Sequence, residues 1–236
     1  MNFKQYENFE DIQDDFEKKV PRTLFKYMAD WNNPYHKEFI TDQTLWFASP
    51  KELNDPYDIR TPVEFIIKEI DSPLFFEKMK NALQIINPAT AYDDRALRIL
   101  TERRLEQIKV DPIKYFEANY KALREGDIFD SIGVFSCSTD ELNEEMWGLY
   151  ANNHSGFAVV FDSSKFSRKF KFAMGWVKYS DAVPNHSFIE EKVSGDMTTS
   201  FTKSTKWQHE KEFRYLSFGI KQNSDRAIKY HVNDVT

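Results

Sequence analysis

Apolar side chains recur at three- and four-residue steps through two stretches of this chain, and elsewhere they alternate or run together. At the start, Phe3, Tyr6, Phe9, Ile12, Phe16 and Val20 fall on one face of a predicted helix, and Pro21 ends it. Thr23–Met28 and Thr44–Ala48 read as strands, rich in β-branched and aromatic residues. The second runs into a loop of turn formers, Ser49-Pro50 and Asn54-Asp55-Pro56. From Ser72, with Pro73 in the first-turn slot, to Arg124 the helical period returns. Phe75, Phe76, Met79, Leu83 and Ile86 make one stripe. Ala96, Ile99, Leu100 and Leu105 make a second, and Tyr115, Phe116, Tyr120 and Leu123 a third. The spacing predicts a helical insertion over residues 72–130.

Strand patterns then resume. Ile132–Cys137 is followed by a helix through Glu144–Tyr150 that closes near Gly156. Phe157–Phe161 is a continuous apolar run, which predicts a strand buried on both faces. Phe170–Tyr179, Phe213–Phe218 and Ala227–Val232 supply further strands, and Phe188–Thr205 begins as a helix. This order predicts an α+β fold, one domain over residues 1–236. Its mixed or antiparallel sheet carries an N-terminal helix and the helical insertion.

Composition narrows the function more than the fold. Apolar residues at 41% and charged residues at 30% are ordinary for a globular chain. Only 7 Gly leaves no room for a Gly-rich phosphate loop, while 21 Phe fill a core and offer rings for stacking. A net charge of −6 without a long basic run disfavours a general nucleic-acid groove. The single cysteine, Cys137, excludes an internal disulfide and a cysteine-rich zinc site and reads as a small buried residue. No apolar run approaches the roughly 18 residues that span a bilayer. Met1-Asn2-Phe3-Lys4-Gln5 does not open a secretion signal, so a cytoplasmic location and no membrane partner are expected.

Three segments gather polar groups at strand ends. Phe47–Asp58 contains Ser49, Asn54, Asp55 and Asp58, which also suit a well-capped turn. Phe135–Asp140 carries Ser136, Ser138 and Thr139 ahead of a helix bearing Trp147 and Tyr150, where an N-cap and core packing are the simpler roles. In Lys206–Leu216 a strand would put Glu210, Glu212 and Arg214 on one face, with Phe213 and Tyr215 on the other. Two carboxylates and a guanidinium so placed suit either an exposed edge ion pair or a site that stabilises positive charge on a sugar ring.

Seven blocks occur in order: Leu24–Tyr27, Leu45–Pro50, Leu53–Asp58, Phe135–Ser138, Met146–Ala151, His154–Asp162 and Trp207–Arg214. Together they resemble the bacterial family known as domain of unknown function 2971, over roughly residues 22–218. The block order is also similar to that of mono-ADP-ribosyltransferase domains. Those place a basic or polar residue on an early strand, a Ser-Thr-Ser-like strand next and a Glu-x-Glu element late. Lys26 (or Arg22), Ser136–Thr139 and Glu210–Glu212 would be the counterparts here.

That likeness implies an ADP-ribosyltransferase-like sheet and NAD as co-substrate. Glu212 would stabilise the oxocarbenium-like transition state and Glu210 would activate the acceptor. Lys26 and Arg214 would meet the pyrophosphate, and Tyr27, Phe47 or Trp147 would stack on a ring. Asn54 and Ser138, with Ser49, Asp55, Ser136 and Tyr150 around them, would hydrogen-bond the nucleotide. It also implies a nucleic-acid or protein acceptor, and a toxin or phage-defence effector with an antitoxin or defence partner. A non-catalytic nucleotide- or protein-binding module is the alternative. A nuclease holding Mg²⁺ on Asp55, Asp58, Glu210 and Glu212 is a third.

Overall fold

A computed structural model describes residues 20–60, 62–86, 93–125, 127–163, 173–187, 189 and 197–230. The predicted N-terminal helix up to residue 19 and residues 188 and 190–196 of the 188–205 segment lie outside the described residues, as does the start of the predicted strand at Phe170. In chain order the elements are β1 (Thr23–Met28), α1 (Pro34–Thr41), β2 (Thr44–Trp46) and β3 (Glu64–Phe65). Then come α2 (Pro73–Ile86), α3 (Asp94–Val110), α4 (Pro112–Glu125) and α5 (Asp127–Asp130). They are followed by β4 (Ile132–Ser138), α6 (Glu144–Tyr150), β5 (Phe157–Asp162), β6 (Ala173–Trp176), β7 (Lys178–Tyr179) and β8 (Asn185–His186). The chain closes with α7 (Met197–Ser200), β9 (Thr202–Lys203), β10 (Glu212–Phe218) and β11 (Ala227–Lys229). The α+β class is thus as expected. Among the described residues no helix is long and apolar enough to cross a membrane.

The chain divides into two compact units. The first takes the described residues within 1–59, 128–181 and 201–236. Its sheet has the order β5-β1-β4-β10-β6, with every neighbouring pair antiparallel. Alternation along the strands separates two packed faces. Leu24, Met28, Phe135, Cys137, Phe213 and Tyr215 pack on one side with Phe39 of α1 and Leu45 of β2. Phe25 and Tyr27 pack on the other with Met146 of α6 and Ala151. No apolar period in the sequence marks α1, yet its start has a local cause. Pro34 occupies its first turn, and the Asn33 side chain accepts from Tyr35 N at 3.0 Å.

β5 departs from expectation. It is the edge strand beside β1, and Phe157–Val160 are half-buried rather than enclosed. Phe157 and Val159 pack against one core and Ala158 and Val160 against the other, so both faces are covered while one edge stays open. A continuous apolar run reports covered faces, not a central position.

The second unit takes residues 60–127 and 182–200, again as far as they are described. Ile70, Phe75, Leu105, Ile108 and Phe116 form its core, and β3 and β8 make a short parallel pair. The buried line on α3 runs through Leu97, Thr101, Leu105 and Ile108. The predicted stripe had included Ile99 and Leu100, which are 40% and 37% exposed. Thr101 satisfies its hydroxyl on Leu97 O at 2.8 Å, which lets a polar residue occupy a core position that hydrophobic counting assigns elsewhere.

Gly156, at the entrance to β5, is fixed by crowding. A Cβ there would collide with the carbonyl oxygen of Met28 and lie 2.9 Å from Ala151 Cα, both backbone atoms that cannot swing away. Gly156→Ala is expected to destabilise the protein by about 1–3 kcal/mol, as overpacking does. Chemical denaturation will measure it. An unchanged midpoint would mean the loop shifts freely.

Candidate functional site

β4 organises the site through its two edges. One pairs with β10 from Ile132 to Ser138. The other is shared, with β1 meeting it at Phe25↔Ser138 and Ala48 exchanging two backbone hydrogen bonds with Val134, at 2.8 and 2.9 Å. Between these contacts the Ser136 carbonyl accepts from Lys26 Nζ instead, at 2.8 Å. A cavity of about 220 Å³ occupies this part of the first unit.

Its wall brings together Lys26 and Tyr27 of β1, Asn54 and Asp58 of the loop before β3, and Ser136 and Ser138 of β4. Glu52, Tyr150 of α6, Lys203 of β9, Glu210 and Glu212 add further polar groups. Glu210 ends a 3₁₀ turn, Thr205–Glu210, and Glu212 opens β10. Between them Lys211 is left-handed, with φ 45°, so the strand alternation read from sequence does not extend back to Glu210. The turn nevertheless delivers both carboxylates to one ammonium. Lys203 Nζ lies 2.5 Å from Glu210 Oε2 and 3.4 Å from Glu212 Oε2, and 3.3 Å from Asp58 Oδ2.

Arg214 closes the network from behind. It donates to Glu212 through Nε and Nη2, at 2.6 and 3.0 Å, and to both oxygens of Asp58 at 2.9 Å. The guanidinium is 0% exposed and does not line the cavity, which removes it from the pyrophosphate role and excludes an exposed edge pair. Glu210 has a different set of partners. Tyr150 OH donates to its Oε1 at 2.5 Å, Asn54 Nδ2 donates to Tyr150 OH at 2.6 Å, and Ser138 Oγ donates to the Glu210 carbonyl at 2.8 Å.

The two acids are driven apart. Burial alone would raise the Glu212 carboxyl, but Arg214 and Lys203 outweigh it and hold it at about 2. Burial also acts on Glu210, and here Lys203 does not cancel it, so its pKa stays above the ordinary value. Burial lowers Lys26 and raises the Cys137 thiol to about 12, an inert residue. Burial likewise pushes Tyr179 up to about 12, and its OH accepts from Glu212 N at 2.9 Å.

Other predicted contacts are structural. Phe47 is fully buried in the core beside Phe135 and cannot stack on a ligand. Ser49 caps the 3₁₀ turn Pro50–Glu52, with Glu52 reaching back to its N–H at 2.8 Å. Asp55 is buried and accepts from Trp207 Nε1 at 2.6 Å. Trp147 stands edge-on to Tyr27 and donates to Glu141 O at 3.0 Å. None of these four lines the cavity. Asp58, Glu210 and Glu212, three of the four acids of the nuclease reading, are engaged by Lys203 and Arg214, and no group of three or more candidate ligands among the described residues is arranged to hold a metal ion. Sequence reasoning missed Lys203 and Tyr179. Lys203 stands in a polar stretch with no periodic signal, and Tyr179 ends a predicted strand that says nothing of the side chain's partner.

A family model described as "Protein of unknown function (DUF2971)" matches residues 146–215. The match supports the resemblance over the stretch that carries Tyr150, Lys203, Glu210, Glu212 and Arg214. No curated protein and no solved structure matches the chain.

Arg214→Met leaves Asp58, Glu210 and Glu212 around one lysine, and is expected to cost about 3–5 kcal/mol. Adding Asp58→Asn should recover part of that loss in denaturant titrations, because it removes the charge that Arg214 had balanced. A pH test separates the two glutamates. The stability Glu212 supplies is present above the unfolded value near ~4.3 and lost as pH falls toward about 2. Glu210 has the opposite sign, since its raised pKa makes ionisation costlier in the native state. Relative to wild type, Glu210→Gln should therefore gain stability with rising pH from about 4.3, by at most ~1.4 kcal/mol per unit. A flat difference would show that Glu210 is not raised.

Proposed function

We propose that the first unit's cavity is the active site of a mono-ADP-ribosyltransferase that uses NAD as donor. The observation that carries this is the pair Glu210 and Glu212, two carboxylates on one lysine whose pKa values are pushed in opposite directions. Such splitting is how acid–base roles are divided between like groups. The ADP-ribosyltransferase-like sheet belongs to the same proposal and rests on block order, from Lys26 through Ser136 to Glu210–Glu212.

A cavity of about 220 Å³ is smaller than the ~300–1,000 Å³ of drug-sized sites, so it suits one ring and its ribose rather than a whole dinucleotide. In this reading the nicotinamide riboside end enters, and the adenylate end lies outside. Asn54 and Ser138 present polar atoms to the ring amide and ribose, and Lys26 offers a cation to the nearer phosphate, while the Tyr27 hydroxyl is given to the carbonyls of Asp140 and Glu141 and leaves only its ring for contact. Glu212, ionised, lies opposite the positive charge that develops at the anomeric carbon. The C–N glycosidic bond breaks with its electron pair leaving on nicotinamide. The acceptor oxygen or nitrogen then bonds to that carbon and gives its proton to Glu210, whose raised pKa suits a general base.

One observation favours the second reading, a non-catalytic nucleotide- or protein-binding module. Glu212 is nearly fully buried and its charge is already matched by Arg214 and Lys203. The discriminating experiment is nicotinamide release from NAD, alone and with cell lysate. On the enzyme reading Glu212→Gln should lower release by about 10²-fold or more, the scale of losing one preorganised electrostatic group. Glu210→Gln should lower transfer to the acceptor, with NAD affinity little changed. Thermal midpoints must accompany both, because Glu212→Gln also strips Arg214 of a partner. A wild-type protein that neither binds nor cleaves NAD would sink the transferase and favour the binding module.

A further inference from the structure

Glu210 holds its carboxylate between two donors of different kind. Lys203 Nζ meets Oε2 and the Tyr150 hydroxyl meets Oε1, each at 2.5 Å. Asn54 sets the direction of the second bond. Its Nδ2 donates to the Tyr150 oxygen at 2.6 Å, and an amide nitrogen cannot accept, so the single hydroxyl proton goes to Glu210. Burial, and then the charge of Glu210, raises the Tyr150 pKa above that of an ordinary phenol, so the hydroxyl stays a donor. The backbone is tied as well. Tyr150 ends α6, and Asn143 at the start of that helix accepts from Met146 N at 3.0 Å while donating to the carbonyl of His209, the residue before Glu210. One side chain thus joins the helix that carries Tyr150 to the turn that carries Glu210. Each carboxylate oxygen has two acceptor sites, so Oε1 and Oε2 keep one apiece after Tyr150 and Lys203 are served.

We propose that Tyr150, oriented by Asn54, is the positioning residue of Glu210: it fixes the carboxylate through Oε1, favours the ionised form, and so keeps Glu210 able to take the acceptor's proton. The base role rests on the transferase reading, whereas the link between the two side chains does not. With its proton on Glu210, Tyr150 is not the donor to the nucleotide that block order implied. A hydrogen bond to the ionised form lowers a carboxyl's pKa, which opposes the burial that raises Glu210. Lys203 and Glu212 are the charged groups beside Glu210, and Lys26 and Tyr179 also feel its charge. Tyr150→Phe alters the formal charge of none of them, so it isolates the bond.

Carboxyl-carbon NMR of the full chain reads the Glu210 midpoint without NAD. Tyr150→Phe should raise that midpoint by about one pH unit, a tenfold gain in proton affinity. In denaturant titrations the variant should lose stability relative to wild type as pH rises through the wild-type midpoint, because ionisation then costs more in the native state. Adding Glu210→Gln should abolish that pH-dependent difference. In transfer assays the variant should be about tenfold slower below the midpoint and recover as pH rises, its acid limb moved by the same amount. A rate lowered equally at every pH would mark a merely structural tyrosine and overturn the proposal, as would an unmoved Glu210 midpoint. If Tyr150→Phe does not fold, the Tyr150 Cζ resonance of wild type should titrate with Glu210, and its failure to do so is equally fatal. A wild type that leaves NAD intact sinks the transferase and the base role together. The Glu210 midpoint, read without NAD, tells that failure apart from a broken link to Tyr150.

Discussion

The buried guanidinium of Arg214 is the interaction on which the candidate site depends. Its fork holds Glu212 on its own strand and Asp58 from a loop more than 150 residues earlier in sequence. Charges taken out of water are costly, and the cost is offset only when every donor and acceptor is met in good geometry. With Asp58, Glu210 and Glu212 against Arg214 and Lys203, the cluster has one carboxylate in excess. That excess explains why the glutamates differ. Glu212 has both cations, whereas Glu210 has Lys203 alone and otherwise the neutral Tyr150 hydroxyl, so Glu210 is the acid that keeps its proton longest.

The same economy of partners explains Lys26. It sits where β4 changes neighbours, from β1 at Ser138 to Ala48 at Val134, and fills the gap by donating to the Ser136 carbonyl. A backbone amide would have served a regular sheet. The lysine lines the cavity and sets a third cation near the acids, since Glu212 and Glu210 both act on its charge. The opening between two strands thus brings the cavity and the electrostatics together.

Much of this was legible in the chain, and the failures share a cause. β1 spans the predicted Thr23–Met28, and β4 and β10 extend theirs by one residue, because β-branched and aromatic runs bounded by turn residues are local signals. The alternation that grouped Glu212 with Arg214 is equally local, and the two do touch. Lys203, Asp58 and the inward turn of Glu210 are set by partners distant in sequence, and no period encodes them. Phe47 and Phe157–Val160 show the converse limit. Hydrophobicity announces that a residue will be covered, not whether a core, a ligand or a strand edge will meet it.

Two left-handed residues flank the cluster, and neither is glycine. Ile59, at φ 63°, follows Asp58, and Lys211, at φ 45°, separates the two glutamates. For a β-branched residue this conformation costs of order 1–3 kcal/mol and persists only where surrounding contacts over-determine it. Those contacts are present. Ile59 is fully buried, and the Asp58 beside it is held at four oxygen–nitrogen contacts shared by Arg214, Lys203 and the Asp55 carbonyl. The Lys211 carbonyl accepts from Thr139 N and Oγ1, both at 3.1 Å, and its ammonium meets Asp140 at 2.7 Å. Glycine would relieve the backbone at 211 but would drop the Asp140 pair that ties the turn to the end of β4. The chain therefore accepts strain at the two points where the backbone must bend to bring Asp58, Glu210 and Glu212 to one lysine. Strained backbone beside buried, mutually perturbed acids is the combination expected where local preference yields to a functional geometry.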